Sequence, residues 1–250
     1  AAVLSHGTTT IDAQNVNLNA DLMSDKNLAI TAKDNIFTKE GTNLSTKADG
    51  RLKAHSAILD GDVRADGMLT IETDDKLTAN NITAGNATLK AGAELSAKNV
   101  NVNGDASITA GTNLAVHDVS VGGDLNAQAQ NITVTSVTGK GNAVLTADKD
   151  VTVTGAFSAH NAELTAGENM TLGGKTDVGG TLTTHVAHDL TANDAVTTGA
   201  DFTAIVGNNA VTNGIVTTNG ALKWNVGNDL TAHAAVLSHG TTTIDAQNVN

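Results

Sequence analysis

A unit of about 19 residues recurs along the chain, and this repeat limits the folds that the chain can adopt. Each copy alternates polar side chains with apolar or small ones over seven positions, and most copies open with glycine. Clear copies are G-N-A-T-L-K-A at residues 85–91, G-D-A-S-I-T-A at 104–110, G-N-A-V-L-T-A at 141–147 and G-A-L-K-W-N-V at 220–226. A short period that fills a chain is typical of solenoids, in which each unit stacks on the previous one.

The units can be placed along nearly the whole sequence, with the poorest fit between Lys39 and Arg64. Twelve units fill the 233 residues from residue 7 to residue 240, at a mean of about 19.4 residues each. The start at residue 50 has the weakest support. Unit starts are placed at residues 7, 26, 50, 67, 85, 104, 123, 141, 160, 180, 200, 220 and 240.

Each unit contains the signals of three short strands separated by turns. The third, fifth and seventh places are apolar or small, as at Leu125, Ala127 and Ala129, and this period of two predicts a half-buried strand. Gly or Asp at the eighth place and Asn or Asp at the tenth predict a turn. An apolar residue at the eleventh place begins a second strand, as at residues 151–153, and a weaker third strand closes many units, as at 119–121.

Three strands and three turns in about 19 residues leave no room for hairpins that bury a face of their own. The sequence therefore predicts an all-β fold in which strands of successive units pair in parallel as a β-helix of about 12–13 turns, here called rungs. The general rule for parallel connections predicts a right-handed coil. We expect a single repeat domain over residues 1–250.

The composition agrees with this fold, since the chain has no Pro and no Cys and only 2% aromatic residues. Proline would remove ladder donors, whereas the missing cysteines exclude disulfides, thiolate metal sites and cysteine nucleophiles. A thin interior predicts a core of Ala, Val and Ile, without space for bulky aromatic rings. Stacked Asn side chains at the tenth place are expected to form a hydrogen-bonded ladder along one corner.

The chain begins and ends with the same sequence, because residues 1–17 and 234–250 both read A-A-V-L-S-H-G-T-T-T-I-D-A-Q-N-V-N. This duplication indicates a fragment of a longer repeating filament. A parent with tandem 233-residue repeats would lengthen by about 58 Å per repeat, at ~4.8 Å per rung. Two open rung edges also predict end-to-end self-association of the fragment.

The charge and hydropathy patterns exclude several classes of partner. With 26 acidic and 14 basic residues the net charge is −12, which does not suit nucleic acid or an anionic membrane surface. No apolar run approaches the ~18–20 residues of a membrane helix. We therefore predict no nucleic-acid binding and no membrane insertion.

Candidate metal ligands are few, and surface roles explain them more simply. His185 is expected on the outward side of a strand and His188 in a turn, and two histidines alone make a poor zinc site. Asp60, Asp62 and Asp66 could hold calcium through clustered carboxylates, although an acidic turn is the simpler interpretation. The remaining candidates are His6 and His239, which occupy equivalent places and are expected in structural turns twelve rungs apart.

Other patterns are weak signals of function. The longest unit carries a charged segment that is expected to be a solvated loop rather than an acid–base site. Thr-x-Thr motifs start at different places of the unit, so we expect no continuous threonine row of the ice-binding kind. The charged residues are Lys33, Asp34, Lys39, Glu40 and Lys47. The Thr-x-Thr motifs start at Thr8, Thr133, Thr152 and Thr181. Asn-x-Ser/Thr triplets, which are possible glycosylation sites in a secreted protein, start at Asn43, Asn81, Asn86, Asn131 and Asn169.

The consensus Gly-x-Ala-x-Leu-Thr-Ala-Gly-x-Asn-Leu-Thr-Val, seen at residues 104–116 and 141–153, resembles the filamentous haemagglutinin repeats of bacterial two-partner secretion exoproteins. The resemblance covers nearly the whole chain. It implies a secreted β-helical filament on the bacterial cell surface, exported through an outer-membrane partner. The family's secretion domain usually carries an Asn-Pro-Asn-Gly type motif, which a chain without Pro cannot contain.

These observations together predict a structural shaft without catalytic, cofactor or metal residues. The main hypothesis is the repeat region of a secreted adhesin that presents distal binding regions to a host or neighbouring cell, with roles in cell adhesion and virulence. The first alternative is the stalk of a contact-dependent growth inhibition exoprotein that delivers a toxin. The second is a carbohydrate-active β-helix enzyme, which would need clustered carboxylates that the sequence does not show.

Overall fold

A computed structural model describes residues 2–250, and these residues form only strands and turns. The chain divides into two compact units, residues 1–123 and residues 124–250. Within each unit the strands pair in parallel as a β-solenoid, and the two units together hold about 13 turns. The predicted fold class is therefore confirmed. The right hand of the coil and the single domain stay predictions.

Residues 2–123, the described part of the first unit, contain thirteen strands. They are β1 (Val3–Ser5), β2 (Thr9–Ala13), β3 (Val16–Leu18), β4 (Leu22–Ser24), β5 (Leu28–Ala32), β6 (Asn35–Thr38), β7 (Asn43–Thr46), β8 (Gly50–Ala54), β9 (Ser56–Thr73), β10 (Leu77–Ala91), β11 (Leu95–Val102), β12 (Ala106–Ala110) and β13 (Asn113–Val121). The long strands β9 and β10 continue around corners of the coil, because each pairs with strands that lie on three successive faces.

The second unit contains nineteen strands. They are β14 (Leu125–Ala129), β15 (Asn131–Gly139), β16 (Asn142–Ala147), β17 (Val151–Val153), β18 (Phe157–Ala159), β19 (Asn161–Ala166), β20 (Met170–Leu172), β21 (Thr176–Val178), β22 (Leu182–Val186), β23 (Leu190–Ala192), β24 (Val196–Thr198), β25 (Phe202–Val206), β26 (Ala210–Thr212), β27 (Val216–Thr218), β28 (Leu222–Val226), β29 (Asp229–Ala232), β30 (Val236–Ser238), β31 (Thr242–Asp245) and β32 (Asn248–Val249).

Strands stack in three columns, one on each face of the coil. In the second unit the first face holds β14, β16, β19, β22, β25, β28 and β31, which pair in this order. The second face begins with Ile132–Val134 of β15 and continues through β17, β20, β23, β26, β29 and β32. The third face begins at Val137 and continues through β18, β21, β24, β27 and β30.

The register confirms the unit length and corrects one unit start. Leu182 pairs with Phe202 and Phe202 with Leu222, which are the third residues of consecutive predicted units. Gly50 does not begin its unit, because it pairs with Leu28 and Leu69, the third residues of their units. The predicted start at residue 50 is therefore wrong by two, and the unit starts at residue 48. The extra residues of the preceding rung lie in turns, where Gly41 has a φ of 76°.

Apolar side chains fill the interior of each unit at the predicted alternate places. Leu125, Ala127 and Ala129 are buried on β14, and the eleventh-place residues such as Val151 and Met170 are buried at the start of second-face strands. Parallel stacking places these side chains over one another from rung to rung. Each rung therefore completes the apolar environment of its neighbours, as in other solenoids.

The expectation that bulky aromatic rings would not fit the interior is wrong. Phe157, Phe202 and Trp224 are at most 3% exposed. Phe202 and Trp224 form an edge-to-face pair with centroids 5.7 Å apart. The interior accepts the indole ring because the residue that pairs with Trp224 in the preceding rung is Ala204, whose side chain leaves the ring space.

One part of the second unit's interior contains unpaired polar atoms. The indole Nε1 of Trp224 and the Oγ1 of Thr212 are buried without a hydrogen-bond partner. Both residues line one internal void of about 10 Å³.

Hydrogen-bonded polar ladders run along the corners between faces. In the second unit Asn169 Nδ2 donates to Asp150 Oδ1 at 3.2 Å, and the Asp189 N–H donates to Asn169 Oδ1 at 3.3 Å. The next rung continues the pattern, since the Asn209 N–H donates to Asp189 Oδ1 at 3.0 Å. The predicted ladder at the tenth place is therefore confirmed, although carboxylates alternate with amides in it.

Candidate functional site

A surface cavity of about 500 Å³ lies on the third face of the first unit. Outward side chains from consecutive rungs line it, because Ser45 pairs with Arg64, Arg64 with Thr83 and Thr83 with Asn101. We call this cavity the third-face groove. Its other lining residues are Met23, Asn43, Asp62, Val63, Asn81, Ile82 and Asn99.

A chain of amides forms one side of the third-face groove. Asn99 Nδ2 donates to Asn81 Oδ1 at 2.6 Å, and Asn81 Nδ2 donates to Asp62 Oδ1 at 2.7 Å. Because these bonds run from rung to rung, they fix each amide and leave donors and acceptors at intervals of about 4.8 Å. This lining can hydrogen-bond a polar ligand. Its charged lining residues are Asp62 and Arg64.

Two of the three carboxylates considered for calcium have other partners. Asp62 accepts the Asn81 amide, and Asp66 forms an ion pair with Arg64 at 2.8 Å. Asp60 lies at a corner of β9, because Leu59 ends the second-face pairing and Asp62 begins the third-face pairing. Among residues 2–250 no group of three His, Cys, Asp or Glu side chains has the geometry to hold a metal ion.

The histidine candidates occupy the predicted kinds of position. His185 points outward from β22 and is half-buried, whereas His188 lies exposed in the turn before β23. His239 lies in a turn, and its Nδ1 is 3.3 Å from the Thr218 carbonyl oxygen. These placements confirm the sequence-based interpretation of surface and turn positions.

His6 takes part in a charged cluster at the first rung. Its Nδ1 lies 2.7 Å from Asp25 Oδ2, and Lys47 Nζ lies 2.6 Å from Asp25 Oδ1. Hydrogen bonding to Lys47, with a smaller contribution from His6, lowers the pKa of Asp25 from its ordinary 3.8. The same contact raises the pKa of Lys47. This cluster joins three successive rungs at an exposed corner.

The charged segment of the longest unit is not one loop. Lys33 and Asp34 lie in the turn between β5 and β6, Lys39 and Glu40 in the turn before β7, and Lys47 in the turn after it. The expected solvated loop is therefore wrong, because strands divide it. The structure separates these charges among three different corners.

Threonines form a row that the sequence analysis did not expect. Thr133 pairs with Thr152, and the row continues on the second face of the second unit through Thr171 and Thr191. Val211 interrupts it before Thr231. The row spans four rungs before this interruption, and the absence of a continuous row of the ice-binding kind stays a prediction. At the next outward place the same four rungs hold Thr135, Thr154, Gly173 and Asn193, so the second threonine column is shorter than the first.

The asparagines of the glycosylation triplets already have structural partners. Asn43 Nδ2 lies 3.4 Å from Asp21 Oδ1, and Asn86 Oδ1 accepts the Asp105 N–H at 2.8 Å. Asn81 and Asn169 belong to the ladders described above. Glycosylation of the chain stays a prediction.

A search of protein-family models finds no match to this sequence, and comparisons with characterised proteins and solved structures find no significant similarity. The fold alone thus defines the class of protein, a parallel β-solenoid. No helix in the described part of the chain is long and apolar enough to cross a membrane.

Proposed function

We propose that the chain is a structural shaft, the repeat region of a secreted filamentous adhesin on a bacterial cell surface. The observation that supports this proposal is the regular register inside each unit, where successive rungs pair place for place and vary little in length. A shaft needs repeated, mutually supporting rungs, and a solenoid supplies them through nearest-neighbour contacts.

The interior and corners of each unit suit a mechanical role. Parallel backbone ladders run along three faces, and side-chain ladders add hydrogen bonds at the corners. Pulling along the stack would have to break many of these bonds together. The acidic surface, with a net charge of −12, favours solubility of an extended filament.

The partners follow from the same proposal. The resemblance to filamentous haemagglutinin repeats suggests export by two-partner (type V) secretion through an outer-membrane protein. Binding to a host or neighbouring cell would then belong to other regions of the parent protein. A stalk that delivers a toxin in contact-dependent growth inhibition needs the same fold and remains the alternative.

The proposal can be tested with arrays that contain one, two and three copies of the 233-residue repeat. Electron micrographs should show particles that lengthen by about 58 Å with each added copy, at ~4.8 Å per rung, while their width stays constant. Particles that remain globular and grow in all dimensions would contradict the shaft. A chain with one rung deleted provides the matched control, which should shorten by a single step.

A further inference from the structure

Three Asn-Gly pairs occur in the sequence, and each lies at a corner of the coil with its asparagine exposed. They are Asn103-Gly104, Asn213-Gly214 and Asn219-Gly220. In such a pair the backbone nitrogen of the glycine can attack the amide carbon of the asparagine side chain. Glycine favours this attack because it has no side chain to hinder the approach. The surroundings of each glycine nitrogen therefore decide which pair reacts in the folded chain.

The glycine nitrogens of two pairs are held in the backbone ladder. The Gly104 N–H donates to the Gly85 carbonyl at 2.7 Å, and the Gly220 N–H donates to the Ala200 carbonyl at 3.0 Å. Attack requires that the nitrogen lose its proton and turn toward the asparagine side chain. A ladder bond opposes both steps, because the donor must first leave its acceptor in the preceding rung. These two pairs are therefore protected while the chain is folded.

The Gly214 N–H, by contrast, has no acceptor among the described residues. Its neighbours form the ladder bonds of this corner, since the Asn213 N–H donates to the Ala192 carbonyl at 2.8 Å and the Ile215 carbonyl accepts the Val196 N–H at 3.0 Å. Gly214 itself lies between the end of β26 and the start of β27, outside both strands. Of the three glycine nitrogens, that of Gly214 is therefore free to react.

Close packing requires glycine at this place. A Cβ on Gly214 would lie 2.3 Å from the Asp194 carbonyl carbon and 2.4 Å from the Ala195 nitrogen, both in the preceding rung. The same corner of that rung also brings a side chain onto the N–H that follows it, since Asp194 Oδ1 lies 2.7 Å from the Ala195 nitrogen. A side chain at this corner can thus reach the next backbone nitrogen, which is the approach that the reaction needs.

We propose that Asn213 and Gly214 form a self-modification site, at which the folded chain converts this asparagine into aspartate and isoaspartate. The Gly214 nitrogen loses its proton to water and attacks Asn213 Cγ. A succinimide ring closes as the Cγ–Nδ2 bond breaks, and Nδ2 takes up a proton from water and leaves as ammonia. A second water opens the ring at either carbonyl, so water is the only co-reactant. The inference goes beyond the proposed function and does not rest on it.

The reaction changes the corner in which it occurs. Asn213 Nδ2 donates to Asn193 Oδ1 at 3.0 Å, and the product carboxylate has no hydrogen with which to replace this bond. Isoaspartate also lengthens the backbone by one carbon between β26 and β27, outside the paired strands. We therefore expect the modified chain to keep its rungs, to lose one rung-to-rung bond and to gain one negative charge.

The chain contains its own matched control, because Thr precedes both Asn213 and Asn219 and one tryptic peptide, residues 176–223, includes both. The folded chain is incubated at mildly alkaline pH, digested and analysed by mass spectrometry with electron-transfer fragmentation. Aspartate and isoaspartate should form at position 213 about tenfold faster, or more, than at position 219, since a ladder bond lowers the reactive population by about that factor. In urea, which removes the ladder, the two rates should become similar.

Three results of this experiment would overturn the proposal. Equal rates in the folded chain, or a faster reaction at Asn219, would mean that the ladder bond does not select the site. A preference for Asn213 that persists in urea would assign the selectivity to the local sequence. An unmodified Asn213 in the folded chain, over a time in which the unfolded chain reacts, would mean that the corner blocks the attack.

Hydrogen exchange of the glycine amides gives a second readout on the native chain. The Gly214 amide should exchange about tenfold faster, or more, than the Gly104 and Gly220 amides, because only the latter two donate to the preceding rung. Equal protection of the three amides would contradict the free Gly214 N–H and overturn the proposal.

Discussion

Leu164 on β19 offers a direct measure of how strongly one rung supports the next. Its side chain is fully buried, with Leu145 in register in the preceding rung and Thr184 in the following rung. Leu164→Ala removes three buried carbon groups, which are worth about 2.4 kcal/mol at ~0.8 kcal/mol each. The paired ladders hold both neighbouring rungs in place and limit collapse of the cavity, so the expected total is about 3–5 kcal/mol.

The matched control is Glu163→Ala, one residue earlier on the same strand. Glu163 points outward and is exposed, so its removal should change the free energy of unfolding by less than about 0.5 kcal/mol. Urea unfolding followed by circular dichroism measures both variants. Hydrogen exchange should show faster opening in β16, β19 and β22, because a solenoid transmits a defect mainly to its neighbours.

Two results would refute this reasoning. Equal loss of stability in the Leu164→Ala and Glu163→Ala variants would mean that the alternation of inward and outward side chains is not the one described. A uniform increase of exchange over all of residues 124–250 would mean that rungs do not act mainly through their nearest neighbours.

Three further predictions concern the corner ladder, the charged cluster and the buried indole. Asn169→Ala removes two side-chain hydrogen bonds, the one donated to Asp150 and the one accepted from the Asp189 N–H. Urea unfolding should show that the free energy of unfolding falls by about 1–2 kcal/mol. The control is Thr171→Ala, which should be near neutral. The pKa of Asp25 is lowered, so the contribution of its carboxylate to the free energy of unfolding is present above pH 3.8 and is lost as pH falls through the lowered pKa. Hydrogen exchange in β4 should show this acid dependence, and Asp25→Asn should remove it. Trp224→Phe removes an unpaired buried N–H, so urea titrations should show a change in the free energy of unfolding of less than about 1.5 kcal/mol. Trp224→Ala also removes the ring and should cost about 3–5 kcal/mol. Similar losses for both variants would contradict the unpaired state of the indole N–H.

The strand columns could be predicted from the sequence because their signal is local. A period of two, followed at a fixed interval by Gly, Asn or Asp, marks strands and corners without knowledge of any distant contact. Gly50 shows where this reasoning fails. The glycine predicts the start of a unit, but Gly50 occupies an inward place, and the Leu69 side chain comes within 3.1 Å of where its Cβ would lie.

The interior aromatics and the third-face groove depend on register, which a single unit does not reveal. Trp224 fits because Ala204 lies next to it in the preceding rung, a neighbour that belongs to a different unit of the sequence. Ser45, Arg64 and Thr83 become neighbours only when three rungs stack. The threonine row depends on register in the same way, because its members are partners in successive rungs.

The most direct test of stacked rungs is a distance series along one row of the second unit. Val144, Glu163, Thr183, Thr203, Lys223 and Thr243 are consecutive register partners on the first face. Spin labels at Val144→Cys combined in turn with Thr203→Cys, Lys223→Cys and Thr243→Cys should give separations near about 14, 19 and 24 Å, because each rung adds ~4.8 Å. Pulsed electron paramagnetic resonance measures these distances. A steady increase of about 5 Å per rung is the predicted result, and distances that do not increase with rung number would contradict the solenoid on which the shaft depends.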